Sequence, residues 1–227
     1  MAMQLSGVVP FGRSLAEYRG MFNLTAGDLT QRILGVGDGP ASFNAEATRQ
    51  GAQVISVDPI YTFSGAEIRQ RFDAVVDDII AQVIATPQDW VWTHHRSPAD
   101  LRHNRVKALE TFLADYETGK IAQRYRVGQL PILDFPDQTF DLALCSHFLF
   151  LYSAHYDAAF HWASIREMLR VSREVRIFPL LTLMRERSPH LDPIIDQLQS
   201  EGYCVEQIPV AYELQKGGNQ MLRITRT

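Results

Sequence analysis

The chain has 227 residues, 46% of them hydrophobic and 21% charged, enough apolar material to close a sizeable core without a disulfide or metal staple. That length fits one domain, 1–227, with an elaboration, better than two independent units. With 22 Lys and Arg against 26 Asp and Glu, the net charge is -4, so nothing draws the surface as a whole to a phosphate backbone and nucleic acid is disfavoured as a substrate.

Residues 1–30 read as an N-terminal helical segment, with Tyr18 and Phe22 four apart on one face. Arg32 to Val36 (RILGV) reads as a buried strand running into glycines, and Pro40 to Gln50 as a helix with Pro40 in its first turn and Gly51 past its end. Val54 to Val57 is a second buried strand, stopped by Asp58-Pro59. Two such strands joined by a short helix form a parallel pair with a right-handed crossover.

A detour follows. Ser64 and Glu67 form a capping box that opens an apolar stripe from Ile68 to Val83. Ser97-Pro98 opens a second helix, with Gly119 beyond its end. Between them lies TPQDWVWTHHRSP. Two helices exceed a single crossover, so about 64–120 reads as a helical insertion over the mouth of a site. Strands are then expected over 122–127, 140–146 and 174–181, with a helix marked by Ala158, Trp162, Ile165 and Leu169 and another by Leu191, Ile194 and Leu198. The runs 203–210 and 220–225, joined through Gly217-Gly218-Asn219, read as a hairpin. The predicted fold is therefore three-layer α/β/α: a doubly wound, mostly parallel seven-stranded sheet with an antiparallel C-terminal hairpin.

Gly35-Val36-Gly37-Asp38-Gly39 sits where the first strand turns toward a helix, and Asp58 ends the second. Ligands of such sheets bind beyond the carboxyl ends of the strands. Glycines there let the backbone approach a ligand, and an acid on strand two accepts hydrogen bonds from a ribose diol. The alternative is a tight turn with a surface aspartate. A dinucleotide site needs G-x-G-x-x-G so that a pyrophosphate rests on the helix N-terminus; Pro40 occupies its last position and removes a donor. A nucleoside ligand without phosphates fits better than a nicotinamide dinucleotide.

These residues resemble the class I S-adenosylmethionine (SAM)-dependent methyltransferases, on ILGVGDG, VISVDP, LDFPDQTFDLALCSHFLFLY and the closing hairpin. The resemblance covers most of Arg32 to Thr227 and leaves the insertion out. It implies SAM as cofactor, with Gly35, Gly37 and Gly39, flanked by Val36, cradling the methionine moiety and Asp58, followed by Pro59, holding the ribose. Gln129, beside Leu130, stands where the family often places an acid near the adenine amine, and Cys145 and Ser146 line the cofactor with backbone groups. The acid usual two places before the first glycine is replaced by Ile33, and Asp38 is the residue within the loop that can compensate.

Methyl transfer from a sulfonium is an in-line displacement in which alignment supplies ~7–11 kcal/mol, so no signature catalytic residue is required. His147, directly after the fourth strand, is the candidate base, its alternative being a cap on the strand end. Tyr18 in the first helix and Trp92 in the insertion are candidate acceptor-binding residues, with ordinary packing as the alternative. His94, His95 and His103 are not read as a metal site, because adjacent histidines seldom point at one ion. The run CSHF after strand four differs from the Pro-rich tetrapeptide of nucleic-acid base methyltransferases. The acceptor is expected to be a small molecule or a protein. Ile33 and Gln129 sustain a second reading, a catalytically inactive SAM-binding or regulatory module.

Cys145 and Cys204 lie far apart outside any CxxC pattern, which suits a reducing compartment. The opening MAMQLSGVVPFGRS lacks a basic stretch followed by an apolar run, and the longest apolar run, Leu142 to Tyr152, is too short for a bilayer. A cytoplasmic location with no membrane association is expected.

Overall fold

The computed structural model describes residues 5 and 7–226; residues 1–4 and 6 of the expected N-terminal segment lie outside the described residues. The first helix, α1 (Leu15–Phe22), opens with a reciprocal capping box between Ser14 and Glu17 and closes on Asn23, whose φ of 48° is left-handed. Alternating chemistry then sets the βα pattern. Largely apolar runs form β1 (Arg32–Val36), β2 (Gln53–Val57) and β4 (Phe140–Ser146); the other strands are β3 (Tyr125–Arg126), β5 (Ser172–Phe178), β6 (Tyr203–Pro209) and β7 (Gln220–Arg226). The seven strands pair in the order β3-β2-β1-β4-β5-β7-β6. The first five are parallel; β7 inserts antiparallel between β5 and β6. The expected hairpin is therefore present, with its second strand on the inside and β6 at the edge.

The remaining helices are α2 (Phe43–Arg49), α3 (Gly65–Ala85), α4 (Pro98–Ile121), α5 (Ala158–Val171) and α6 (Leu191–Ser200). Successive strand residues point to opposite faces, and the core divides accordingly. Ile33, Val54, Leu142 and Leu144 join the α1–α4 side, while Leu34, Val36, Ala143 and Cys145 join the α5–α6 side. Within the expected insertion, α4 packs on α2 and β3, and α3 packs on α4. Among the described residues no helix is long and apolar enough to cross a membrane.

Several boundaries differ from the sequence reading; β5, expected over 174–181, runs from Ser172 to Phe178 and stops before Pro179. Helix α2 begins at Phe43, three residues after Pro40, with Ser42 as its N-cap. Strand β3 holds two residues instead of six. Its ladder with β2 ends where the Asp58 amide donates to the Arg126 carbonyl (3.3 Å); the next amide in line, that of Ile60, donates to Oδ1 of Asp58 instead. Gly119 lies inside α4, not beyond it; a Cβ there would fall 2.3 Å from the Tyr125 ring, so glycine lets the helix press on β3.

Candidate functional site

The carboxyl ends of β1 and β2 build the first wall. The Gly37 amide donates to the Val57 carbonyl (2.9 Å), fastening the loop to β2. The Gly39 amide donates to Oδ2 of Asp58 and the Ile60 amide to Oδ1, both at 2.8 Å. An ionised carboxylate has about four acceptor positions, so two remain for a ligand. Burial pushes the Asp58 carboxyl up to about 6, against the pull of these two amides.

Asp38 is turned inward. Its carboxylate accepts from the Tyr18 hydroxyl and the Ser56 hydroxyl, both at 2.6 Å, and burial raises it to about 6, with Asp58 adding to the effect. It lies so close under the strand that a Cβ at Gly35 would meet it at 1.9 Å. Gly35 thus makes room for Asp38, while Gly37 and Gly39 supply left-handed backbone. Ile33 is fully buried in β1, and Asp38, the residue expected to compensate for a missing acid there, spends its carboxylate on Tyr18 and Ser56.

Two cavities meet at this point. The outer one, about 1340 Å³ including its mouth, is bounded by Gly37, Asp38, Gly39, Asp58 and Pro59, and on the far side by Arg71, Ala74 and Val75 of α3. The inner one, about 780 Å³ including its opening, runs toward Trp90, Leu183 and Leu214. Val9, Phe11, Arg13 and His147 line both. His147 is held there by its backbone: its φ is 51°, its amide donates to the Phe178 carbonyl at 2.6 Å, and Nδ1 lies 2.9 Å from the Ser146 hydroxyl. Left-handed backbone costs a non-glycine residue about 1–2 kcal/mol. Burial, with Arg13 and Arg105 nearby, keeps the imidazole well below its ordinary pKa, so it is neutral at neutral pH.

Behind the inner cavity lies a buried ion pair. Arg105 Nη1 is 2.8 Å from Glu17, both side chains being at most 1% exposed. Burial alone would raise the Glu17 carboxyl; Arg105 and a hydrogen bond from His95 override it and hold it well below the usual carboxylate range. Glu17, His94 and His95 bring three donor atoms within 4.8 Å of one another, but the Glu17 carboxylate is already committed to Arg105 and to the Tyr212 hydroxyl at 3.1 Å. Nothing in the sequence links Glu17 to Arg105.

The sequence-predicted residues separate into those that reach the cavities and those that do not. Gly37, Asp38, Gly39, Asp58, Pro59 and His147 converge on the outer cavity. Gly35 and Val36 lie beneath them in β1, with Val36 buried. Of the two residues expected near adenine, Gln129 is exposed and Leu130 buried, and neither is among the residues that line the outer cavity. Cys145 projects into the α5–α6 core, where burial pushes its thiol up to about 12. Tyr18 is no acceptor-binding residue: it is 1% exposed, its ring stacked 4.1 Å from Phe43 and its hydroxyl held by Asp38. Trp92 packs half-buried against the core, and Trp90, two residues earlier, takes the place on the cavity wall. Arg13 was missed because one arginine in a segment without periodicity carries no signal.

The fold is that of the class I SAM-dependent methyltransferases. The structure of the mitomycin 7-O-methyltransferase MmcR shares it at a TM-score of 0.50 and 13% identity, over 94% of this chain and 54% of that one. A looser likeness is to magnesium protoporphyrin IX methyltransferase from Synechocystis PCC 6803, solved with bound SAM: TM-score 0.45, 13% identity, 88% of this chain and 73% of that one. No protein-family model matches the chain. The chain belongs to the same family as the uncharacterized protein MJ0045 of Methanocaldococcus jannaschii, to which it is 33% identical over 225 residues, 99% of either chain.

Proposed function

We propose that the protein is a SAM-dependent methyltransferase that passes a methyl group to a small-molecule or protein acceptor by direct displacement, a small molecule fitting the mainly apolar inner cavity better. One observation carries this reading: Asp58, at the carboxyl end of β2, faces the same cavity as the left-handed glycines after β1. Its two occupied acceptor positions are taken by backbone amides, which fix the carboxylate and leave room for a sugar diol. A Cβ at Gly39 would meet nothing within 4 Å, so the loop is open on its ligand side. SAM, when bound, supplies the electrophilic methyl group.

The chain's own work is then binding, orientation and the exclusion of water. The segment from Gly7 to Arg13 and the α3 residues Arg71, Ala74 and Val75 wall the outer cavity, which supports reading 64–120 as a cover for the site. His147, neutral and at the junction of the two cavities, is the group placed to take a proton from a protonated acceptor. The fold of MmcR is consistent with this function. Calorimetric titration with S-adenosylhomocysteine tests it: binding is expected, and no heat with millimolar ligand would remove the enzymatic assignment.

A further inference from the structure

We infer that the inner cavity takes a flat, apolar acceptor carrying one anionic oxygen, a carboxylate or an ionised ring hydroxyl, with Arg13 as its counter-charge. The inference rests on the methyltransferase reading and names the acceptor class for that site.

Three observations support it. First, the inner cavity is mainly apolar, with aromatic walls from Trp90, Phe178 and Tyr212, which suits a ring. Second, Arg13 and Arg105 both line this cavity, whereas only Arg13 also lines the outer one. Third, the charges are unbalanced. Glu17 neutralises Arg105, but no carboxylate forms an ion pair with Arg13 among the described residues; its Nη1 donates to the Phe11 carbonyl at 2.6 Å. Burial and the neighbouring Arg105 lower Arg13 to about 10, as befits a cation without a partner. An anion at the junction would supply one.

The same placement serves the reaction. The oxygen lone pair forms the new O–CH₃ bond as the S–CH₃ bond breaks and its electron pair stays on sulfur. The anion and the sulfonium both become neutral, giving an ester or an aryl ether and a thioether. A ring hydroxyl arriving protonated gives its proton to His147 only as the O–CH₃ bond forms, when the oxygen has become strongly acidic, and from the imidazole the proton passes to solvent. Arg13 then loses its counter-charge, which favours release of the methylated product.

The test uses the full chain with saturating S-adenosylhomocysteine and three probes titrated by calorimetry: benzoate, 4-nitrophenolate and neutral benzamide. Either or both anions are expected to bind at least about tenfold more tightly than the amide, the stronger one identifying the oxygen type. Arg13→Gln is expected to reduce the anions to the level of the amide, and Arg13→Lys to restore part of the difference. Leu183→Trp, which fills the inner cavity away from Arg13, should abolish ring binding with the affinity for S-adenosylhomocysteine unchanged. Equal binding of anions and amide to the wild-type protein, or of neither, would overturn the inference. So would an Arg13→Gln variant that loses S-adenosylhomocysteine but keeps the anions, since Arg13 would then serve the cofactor's carboxylate. Failure of S-adenosylhomocysteine to bind in its own titration would instead remove the underlying methyltransferase reading.

Discussion

The Tyr18 hydroxyl donates a 2.6 Å hydrogen bond to Oδ1 of Asp38, joining α1 to the glycine loop through a carboxylate that is only 6% exposed. The loop that shapes the outer cavity is therefore braced from beneath by the N-terminal helix. Tyr18→Phe keeps the ring stack on Phe43 and removes one of the two side-chain donors to Asp38. The half-satisfied acceptor is expected to cost ~1–3 kcal/mol, and Asp38, held down by this bond, should titrate higher still. Urea unfolding should show a lower midpoint at an unchanged slope; an unchanged midpoint would mean that the bond does not brace the loop.

Asp58 gives a pH signature with a defined sign. Its folded value of about 6 stands above ~3.9 in the unfolded chain, so the folded state binds the extra proton between those values. The associated stability is full below about pH 4 and is lost as pH rises through about 6, by roughly 3 kcal/mol at most. Asp58→Asn cannot titrate, so its stability relative to wild type should improve from pH 4.5 to pH 7. Ligand affinity should run the other way: wild-type binding of S-adenosylhomocysteine should strengthen over the same interval as the carboxylate ionises. A flat difference in stability with pH would contradict the burial of this group.

The Glu17–Arg105 pair is a buried charge couple in which neither partner can be removed alone. Glu17→Ala leaves Arg105 uncompensated and is expected to cost ~3–5 kcal/mol, while replacing both residues with apolar side chains of similar volume should recover much of that loss. Thermal denaturation of the single and double variants checks this. A single variant as stable as wild type would show that the pair contributes nothing to the core behind the inner cavity.

The cysteines should be chemically unequal. Burial pushes Cys145 up to about 12, whereas Cys204 is exposed on β6, and the thiolate is the reactive form. Iodoacetamide on the native protein at pH 8 should add one alkyl group, on Cys204, and a second only after unfolding. Rapid native labelling of Cys145 would place its thiol at a surface.

What the sequence disclosed and what it withheld divide by the range of the interactions. The run from Arg32 to Asp58 is legible because strand, glycines, helix and acid lie within one local unit, and the capping box at Ser64 obeys a rule spanning three residues. Here the Ser64 and Glu67 pair forms as expected, with the Glu67 amide donating to the Ser64 hydroxyl at 3.3 Å. The places of Tyr18 and Trp92 leave no local signal, because aromatic residues serve core and cavity equally and only packing distinguishes them. Glu17 and Arg105 meet across 88 residues, and the insertion of β7 between β5 and β6 depends on sheet assembly, so neither leaves a local pattern. Arg13 has neither period nor motif, and its importance emerges only from the two cavities it divides.

The most direct test of the account is the electron density of crystals grown with S-adenosylhomocysteine. An adenosyl group is predicted across the ends of β1 and β2, its ribose hydroxyls on Asp58 and its thioether directed toward His147 and the opening of the inner cavity. Density for the ligand elsewhere, with protein side chains closing the space between Gly37 and Asp58, would contradict it.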